Sequence, residues 1–581
     1  MTILFTAVRR LAVAAFAVSS LAAHTVAAED LRPQVLQAIR AKSFMVVSAS
    51  PIASKAGAEV LRQGGNALDA AVAVQMVLGL VEPQSSGLGG STFLLYYDKA
   101  AGELTAFDGH GTAPAAATPD LFLDAAGQPL KASDAVIGGR AVGVPGTVRL
   151  WHSAHTKLGK LPWAKLLQPA IDLAGQGFEI SPRLAALIAY NRETLGRDQT
   201  AKSYFFAADG SPLPAGSRLK NPALAESLRK IAAGGADAFY NGPIAKDIVT
   251  KVTGFTANPG RLSEGDFKAY TVKSREAQCA PYRIYMVCGF PPPGSGGTAL
   301  GELLGMLAHF DMARTKPMGL DAVHLFLEAG KLTYADRDAY LADPDFAPVP
   351  SSGLTDPLYL MMRAQLIDRD HAVPVPVRPG NPSWRDADAG VPGETYEQTS
   401  TSHFAIVDKA GNIVTATSSI EDTFGSRLMV DGFLLNSELA DFSFRPEVNG
   451  RPVANRIEPG KRPRSALSPT LVLDETGKPM LALGAAGGSR IIEYVAQTLV
   501  GVLDWGLDIQ TAINLPRVAN RNGLSELEAG TALAGLKPGL EALGHSIALI
   551  ELNSGVEGIQ LGEGTLIGGI DPRREGAGVG E

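Results

Sequence analysis

The stretch "TSTSHFAIVDKAGNIVTATSS", residues 399–419, decides the reading of the fold. Four hydroxyl residues, Thr399, Ser400, Thr401 and Ser402, stand at the mouth of the apolar run "HFAIVD", and "KAGN" separates that run from "IVTATSS". Two β-patterned runs around a turn centred on Ala410 and Gly411 predict an antiparallel hairpin. Counting outward from the turn places Thr401 opposite Ser419 or Ile420, so a hydroxyl partner lies within reach of Thr401. A Ser/Thr cluster before a strand also reads as a solvated turn. What surrounds the cluster separates the two readings.

A hydroxyl nucleophile needs a base. The chain has nine histidines and no G-x-S-x-G elbow. Cleavage of the backbone between Ser400 and Thr401 would instead free an α-amine that serves as base for the hydroxyl of the same residue. That route needs an exposed connector upstream and a strand-initiating Thr downstream. Residues 373–395, "VPVPVRPGNPSWRDADAGVPGET", are rich in Pro, Gly and charge and read as such a connector, extending to residue 400. Beyond it the chain turns to β pattern in "GFLLNSELADF", "PTLVLD" and "MLALGAAGGS". The break predicts a division into residues 29–400 and 401–581, the second a compact half carrying the strands.

Three further stretches bear on chemistry. "MLALGAA" runs into Gly487-Gly488 and a helix expected near Ser489, which is either a sharp turn or a pair of outward N–H donors for an oxyanion. "EPQSSGLGGSTFLLYYD", residues 82–98, is glycine-rich but leads into a strand, so tight packing or a pocket wall is preferred to a phosphate cradle. "SFRPEVNGRPVANRIEPG", residues 443–460, is polar and Pro-rich and reads as a mobile lid or as a static surface loop.

The whole chain bounds these ideas. Its 581 residues are 45% hydrophobic and 19% charged, with net charge −7, enough for a large core and without the cationic footprint of nucleic-acid or anionic-membrane binding. Small molecules are the expected partners. At the N-terminus, Arg9 and Arg10, an apolar run from Leu11 to Ala23 and small residues at Val26, Ala27 and Ala28 predict a secretory signal, residues 1–28. A periplasmic or secreted protein is expected. Cys279 and Cys288 flank "YRIYMV"; they are a disulfide or two buried thiols, and without nearby His they predict no metal site.

In order along the chain, "LRQGGNALDAAVAVQMVLGLVEPQSSGLGGSTFLLYYD", "VGVPGTVRLWH", "PPPGSGGT", "TSHFAIVDKAGNIVTATSSIEDTFGS", "LLNSELADFS", "KRPRSALSPTLV", "GAAGGSRII" and "GGIDPRREGAGVG" resemble the γ-glutamyltransferases, also called glutathione hydrolases, of the N-terminal nucleophile hydrolase group. The resemblance covers essentially the whole chain after the signal. It implies an α/β fold, a four-layer αββα sandwich built from two self-cleaved subunits cut between Ser400 and Thr401, with no cofactor and no metal. It makes Thr401 the nucleophile and Ser419 the hydroxyl that activates it, with Gly487 and Gly488 as oxyanion donors. Glu421, Glu438 and Asp441 fall where the family holds the donor's amino group.

The resemblance is incomplete at the other end of the donor. "FDGHGTAP" puts His110 where the family's carboxylate-binding arginine stands, and "RSALSPT" keeps Ser465 but has Ala466 in place of a second serine. Arg140 and Arg464 are candidate replacements for the lost cation. Three functions are carried forward: a γ-glutamyl hydrolase or transferase passing an acyl group from Thr401 to water or an amine; an amidase or acylase of shifted specificity, as in the cephalosporin acylases of the family; and a self-cleaved but idle periplasmic binding protein. Retention of Thr401, Ser419 and the Gly487-Gly488 pair counts against the third.

Overall fold

Period-two alternation builds the centre of the molecule. In the strand Ser400–Val407, Phe404 and Ile406 pack among helices on one face while Ala405 and Val407 face a second sheet. The computed structural model describes residues 35–383, 391–393, 395–396 and 400–581. The expected signal segment lies outside the described residues, as do part of the connector and Thr399.

Two seven-stranded antiparallel sheets lie face to face. One runs, edge to edge, through Ala577–Gly580, Met45–Ser48, Ser400–Val407, Ile413–Glu421, Ser91–Asp98, Glu103–Gly109 and Lys273–Glu276. The other runs through Ile39–Ala41, Thr565–Ile570, Gly555–Gly562, Pro479–Ala486, Thr470–Leu473, Tyr285–Gly289 and Gln278–Tyr282. Met45, Val47, Ala405 and Val407 of the first meet Leu471, Ala482 and Ile559 of the second. Helices cover both outer faces: Pro51–Arg62, Ala67–Val81 and Thr147–Leu158 over the first, Gly296–Leu307, Leu320–Tyr340 and Ile491–Leu503 over the second. The arrangement is the expected αββα sandwich.

The composition break near residue 400 does not separate two folding units. Strands from both sides of it alternate within each sheet, and residues 34–581 form one compact body. The strand that begins at Ser400 is central, bonded to Met45–Ser48 on one side and Ile413–Glu421 on the other. Local pattern finds strands but not their long-range neighbours, which is why a compact C-terminal half was expected instead.

Register and chemistry are tied together here. The pairing Phe404↔Ala416 and Ile406↔Val414 also sets Thr401↔Ser419. A slip of one residue would turn Phe404 and Ile406 into the inter-sheet space that Ala405 and Val407 fill, overpacking it at about 1 to 3 kcal/mol, and would part the two hydroxyls. The helix Ala67–Val81, buried along nearly its whole length behind this sheet, starts at a reciprocal cap: Asp69 N–H donates to Asn66 Oδ1 at 2.9 Å and Asn66 N–H to Asp69 Oδ2 at 3.1 Å.

Cys279 and Cys288 face each other across the edge strands Gln278–Tyr282 and Tyr285–Gly289 and are joined as a disulfide. Among the described residues no helix is long and apolar enough to cross a membrane.

Candidate active site

The hairpin delivers Thr401 and Ser419 as direct partners, with a bulge between Ser400 and Thr401. Thr401 Oγ1 donates to Ser419 Oγ at 3.3 Å, and Ser419 Oγ donates to the Ser400 carbonyl oxygen at 2.8 Å. The hydroxyl of Thr401 and the peptide bond before it are therefore linked through one serine. Gly90 makes this approach possible, because a Cβ there would lie 2.2 Å from the Ser419 carbonyl oxygen. The glycine-rich run around residue 90 is thus close packing against the hairpin.

Ser400 is clamped from the upstream side. Its hydroxyl donates to the Gln84 carbonyl and lies 3.4 Å from Ser85 Oγ, while Ile420 N–H and Phe424 N–H donate to the carbonyls of Ser85 and Gln84 at 3.2 and 3.0 Å. On the other side, Arg574 Nη1 donates to the Thr401 carbonyl at 2.8 Å. Neither the Gln84-Ser85 turn nor Arg574 stood out in the sequence, although both lie inside motifs that carried the resemblance.

A small cleft opens beside Thr401, lined by Glu421, Asp441, Ser465, Ala466 and Gly488 among others. Glu421 holds a left-handed φ of 77° at the end of the strand Ile413–Glu421, a backbone strain of the kind that accumulates at functional sites. Asp441 is buried at the end of the short helix Glu438–Asp441. Gly487 and Gly488 have φ of 143° and 66° and lead through one short turn into the helix Ile491–Leu503, which aims the start of that helix at the cleft. Ser465 is tied to the "PPPGSGGT" turn, where Ser295 Oγ donates to its carbonyl at 2.6 Å.

His110 and Glu438 are not at opposite ends of the cleft. They lie together, His110 Nδ1 at 3.7 Å from Glu438 Oε2, both almost fully buried, and neither lines the cavity at Thr401. The physical reason is the strand end at Gly109: Gly111 N–H donates to Ser91 Oγ at 2.7 Å and to Glu438 Oε2 at 3.1 Å, which draws His110 inward against the Phe93 ring. Burial pushes the His110 imidazolium down to about 4, outweighing the nearby Asp108 carboxylate. Burial likewise pushes the Glu438 carboxyl up to about 8, against the opposing hydrogen bond from Ser91. Both are largely uncharged near neutral pH.

The two candidate replacement cations are engaged elsewhere. Arg140 donates to Asn258 Oδ1 and to the Leu121 carbonyl, both at 2.6 Å, and Arg464 bonds Asp338 Oδ1 at 3.0 Å and the Arg337 carbonyl at 3.0 Å. The segment 443–460 is anchored: Ser443, Val453, Asn455 and Ile457 are buried, and the hairpin Glu447–Val448 with Arg451–Pro452 lies mostly exposed between these anchors. Away from the cleft, His324, Glu328 and His545 lie within ligating distance of one another, but Lys331 Nζ donates to Glu328 Oε1 and the two imidazoles are hydrogen-bonded, His324 Nδ1 to His545 Nε2 at 2.8 Å. Protein hydrogen bonds close that cluster.

The sequence pattern of the family described as gamma-glutamyltranspeptidase matches residues 53–581. The chain belongs to the gamma-glutamyltranspeptidase family. It is 39% identical over 551 residues to the glutathione hydrolase proenzyme of Escherichia coli K12, covering 93% of this chain and 92% of that one. The corresponding proenzyme of Bacillus subtilis 168 is 37% identical over 551 residues with the same coverage. Among solved structures, a cephalosporin acylase from Bacillus halodurans superposes with a TM-score of 0.82 at 26% identity, covering 95% of this chain and 98% of that one. As a gamma-glutamyltranspeptidase-family protein, the chain is an enzyme of the N-terminal nucleophile hydrolase type.

Proposed function

We propose that the chain is a self-processing enzyme that cleaves γ-glutamyl amide bonds of glutathione-like donors through an acyl-enzyme on Thr401 and passes the acyl group to water or an amine. The observation that carries this reading is the relay from Thr401 Oγ1 through Ser419 to the Ser400 carbonyl. In the uncut chain, Thr401 Oγ1 attacks the Ser400 carbonyl carbon. Its proton passes to Ser419, whose own O–H supports the developing oxyanion, and the C–N bond breaks as Ser419 hands the received proton on to the Thr401 nitrogen. Water then opens the ester, leaving a Ser400 carboxylate and a free Thr401 amine. Residues 29–400 and 401–581 become large and small subunits that stay interleaved through the shared sheets.

In turnover the freed amine acts as base for the Thr401 hydroxyl, Ser419 orients it, and the N–H groups of Gly487 and Gly488 receive the oxyanion. Glu421 and Asp441 recognise the donor's amino group, with Ser465 at the far wall. The test is a denaturing gel and an assay: the parent separates into two pieces with the smaller starting at Thr401, Thr401→Ala stays whole, and a γ-glutamyl anilide is hydrolysed. An uncut parent, or a Thr401→Ala chain that still splits at that bond, overturns the reading.

A second reading, an acylase of shifted specificity, draws on the buried and uncharged His110–Glu438 pair and on Ala466. Position 110, where the family places its arginine, holds a neutral imidazole, which cannot replace the planar fork that grips a carboxylate. Faster hydrolysis of other acyl anilides than of the γ-glutamyl anilide would favour it.

A further inference from the structure

The strand that carries Thr401 loses a neighbour just where the nucleophile sits. Its pairing with Met45–Ser48 runs only from Phe404↔Ser48 to Val407↔Met45, because the partner chain then turns into the helix Pro51–Arg62. Among the described residues, 401–403 therefore have no strand on that side to satisfy their backbone. A buried carbonyl left unpaired there would cost about 1 to 3 kcal/mol and would be free to rotate.

Arg574 fills the gap. It lies between the strands Thr565–Ile570 and Ala577–Gly580, and its Nη1 donates to the Thr401 carbonyl at 2.8 Å. The rest of the fork is tethered: Nε and Nη2 donate to the Asn553 carbonyl at 3.3 and 3.1 Å. The side chain reaches Thr401 by passing over Gly555, where a Cβ would lie 2.6 Å from Arg574 Cδ. Such a path through the fold requires glycine. Around the guanidinium stand Glu82 at the end of the helix Ala67–Val81, Glu557 on the strand Gly555–Gly562 and Asp571 in the adjoining turn, with Arg183 as a second cation. Burial raises both the Glu82 and the Glu557 carboxyls, so their opposition to the guanidinium charge is weakened.

We propose that Arg574 is a positioning residue for the nucleophile, fixing the Thr401 carbonyl in place of a missing strand and, after cleavage, disfavouring the charged form of the Thr401 amine. This rests on the reading of Thr401 as an N-terminal nucleophile. An amine that must accept a proton has to be uncharged at working pH, and a cation held one peptide unit away disfavours the ammonium. Glu421 and Asp441 face Thr401 from the cleft and pull the other way. The guanidinium offsets them. Arg is suited to this place because it stays charged when buried and its fork can hold two carbonyls at once.

The full chain is expressed as Arg574→Gln, Arg574→Lys and Gly555→Ala, beside Thr401→Ala. Self-cleavage is followed on a denaturing gel, and kcat against pH is read with a γ-glutamyl anilide. Arg574→Gln is expected to slow cleavage tenfold or more and to move the acid limb of kcat to higher pH, because more of the amine is then protonated. Arg574→Lys keeps the charge, so its limb stays near that of the parent while its cleavage is partly slowed. Gly555→Ala displaces the guanidinium without removing it and slows cleavage, which decides the matter if Arg574→Gln does not fold. If Thr401→Ala is uncut while Arg574→Gln, or in its place Gly555→Ala, cleaves at the parent rate with an unmoved acid limb, the role of Arg574 falls and that of Thr401 stands. A Thr401→Ala chain that cleaves brings down the reading beneath both.

Discussion

Ser419 Oγ donates to the Ser400 carbonyl oxygen at 2.8 Å, so the residue that faces the nucleophile also holds the bond the nucleophile attacks. One hydroxyl serves two steps. Ser419→Ala is expected to slow the appearance of the two subunits by about 10²-fold, the usual loss on removing one oxyanion donor. Ser419→Thr, which keeps the hydroxyl, should restore most of the rate. A time course on a denaturing gel reads both, and a Ser419→Ala chain that splits at the parent rate removes Ser419 from the relay.

Gly487 and Gly488 separate self-cleavage from turnover. In the uncut chain the Ser400 oxyanion is met by Ser419, whereas the acyl-enzyme needs donors across the cleft. Gly487→Ala puts a Cβ 2.5 Å from the Tyr494 ring at a φ of 143°. It should mature into two subunits but lose at least 10²-fold in kcat, with a lowered Tm. Gly488→Ala meets left-handed strain at a φ of 66°, about 1 to 2 kcal/mol, and should also lower kcat. Full turnover in Gly487→Ala would exclude these N–H groups as donors.

Much of this site was legible locally. Turn chemistry and strand alternation narrowed the partner of Thr401 to Ser419 or Ile420, of which the register takes Ser419, and a strand running into two glycines announced the turn at Gly487. What stayed hidden depends on chain segments far apart in sequence. Arg574 meets Thr401 across 173 positions and Gln84 meets Ser400 across 316, and no periodicity reports such contacts. The meeting of His110 with Glu438 is of the same kind, spanning 328 positions between a strand end and a short helix; motif matching set them at opposite ends of a donor because it carries order, not distance.

His110 should not tune donor binding between pH 6 and 8, since burial holds its imidazolium near 4. KM for a γ-glutamyl anilide should show no pH dependence that His110→Gln removes. The shift belongs to stability instead. The unfolded chain protonates this histidine below its ordinary value of 6.5, while the folded chain resists until about 4. Stability present above pH 6.5 is therefore lost as pH falls through that window, with a slope of up to about 1.4 kcal/mol per pH unit. His110→Gln should flatten the fall in Tm between pH 7 and 4; a KM that still drops toward pH 6 in the parent alone would contradict the assignment.

The Cys279–Cys288 disulfide closes a short loop at the sheet edge, and neither cysteine lines the cleft at Thr401. Loop entropy assigns it about 2 to 3 kcal/mol. Replacing both cysteines by serine should lower Tm by a few degrees and leave cleavage and kcat unchanged. A loss of activity at temperatures where the variant is folded would show coupling to the site.

Asn455 is the hinge between the exposed hairpin and the cleft. Its Nδ2 donates to the Asp441 carbonyl at 2.7 Å and its Oδ1 accepts from Arg464 N–H at 2.9 Å, so one buried amide ties the turn that carries Asp441 to the segment leading into Ser465 and Ala466. The exposed tip, Glu447–Val448 and Arg451–Pro452, makes a small hairpin of its own. Shortening that tip should leave donor KM unchanged, because the buried anchors on either side remain. Asn455→Ala removes both bonds at about 1 to 3 kcal/mol and frees Asp441 to shift. Donor KM should then rise several-fold while kcat changes less, since Thr401, Ser419 and the Gly487-Gly488 turn are untouched. Asn455→Asp offers a partial check: it keeps the acceptor for Arg464 N–H but not the donor to Asp441, and should resemble Asn455→Ala in KM. The opposite pattern, in which tip shortening raises KM and Asn455→Ala does not, would make the hairpin a cover over the cleft and Asn455 a bystander.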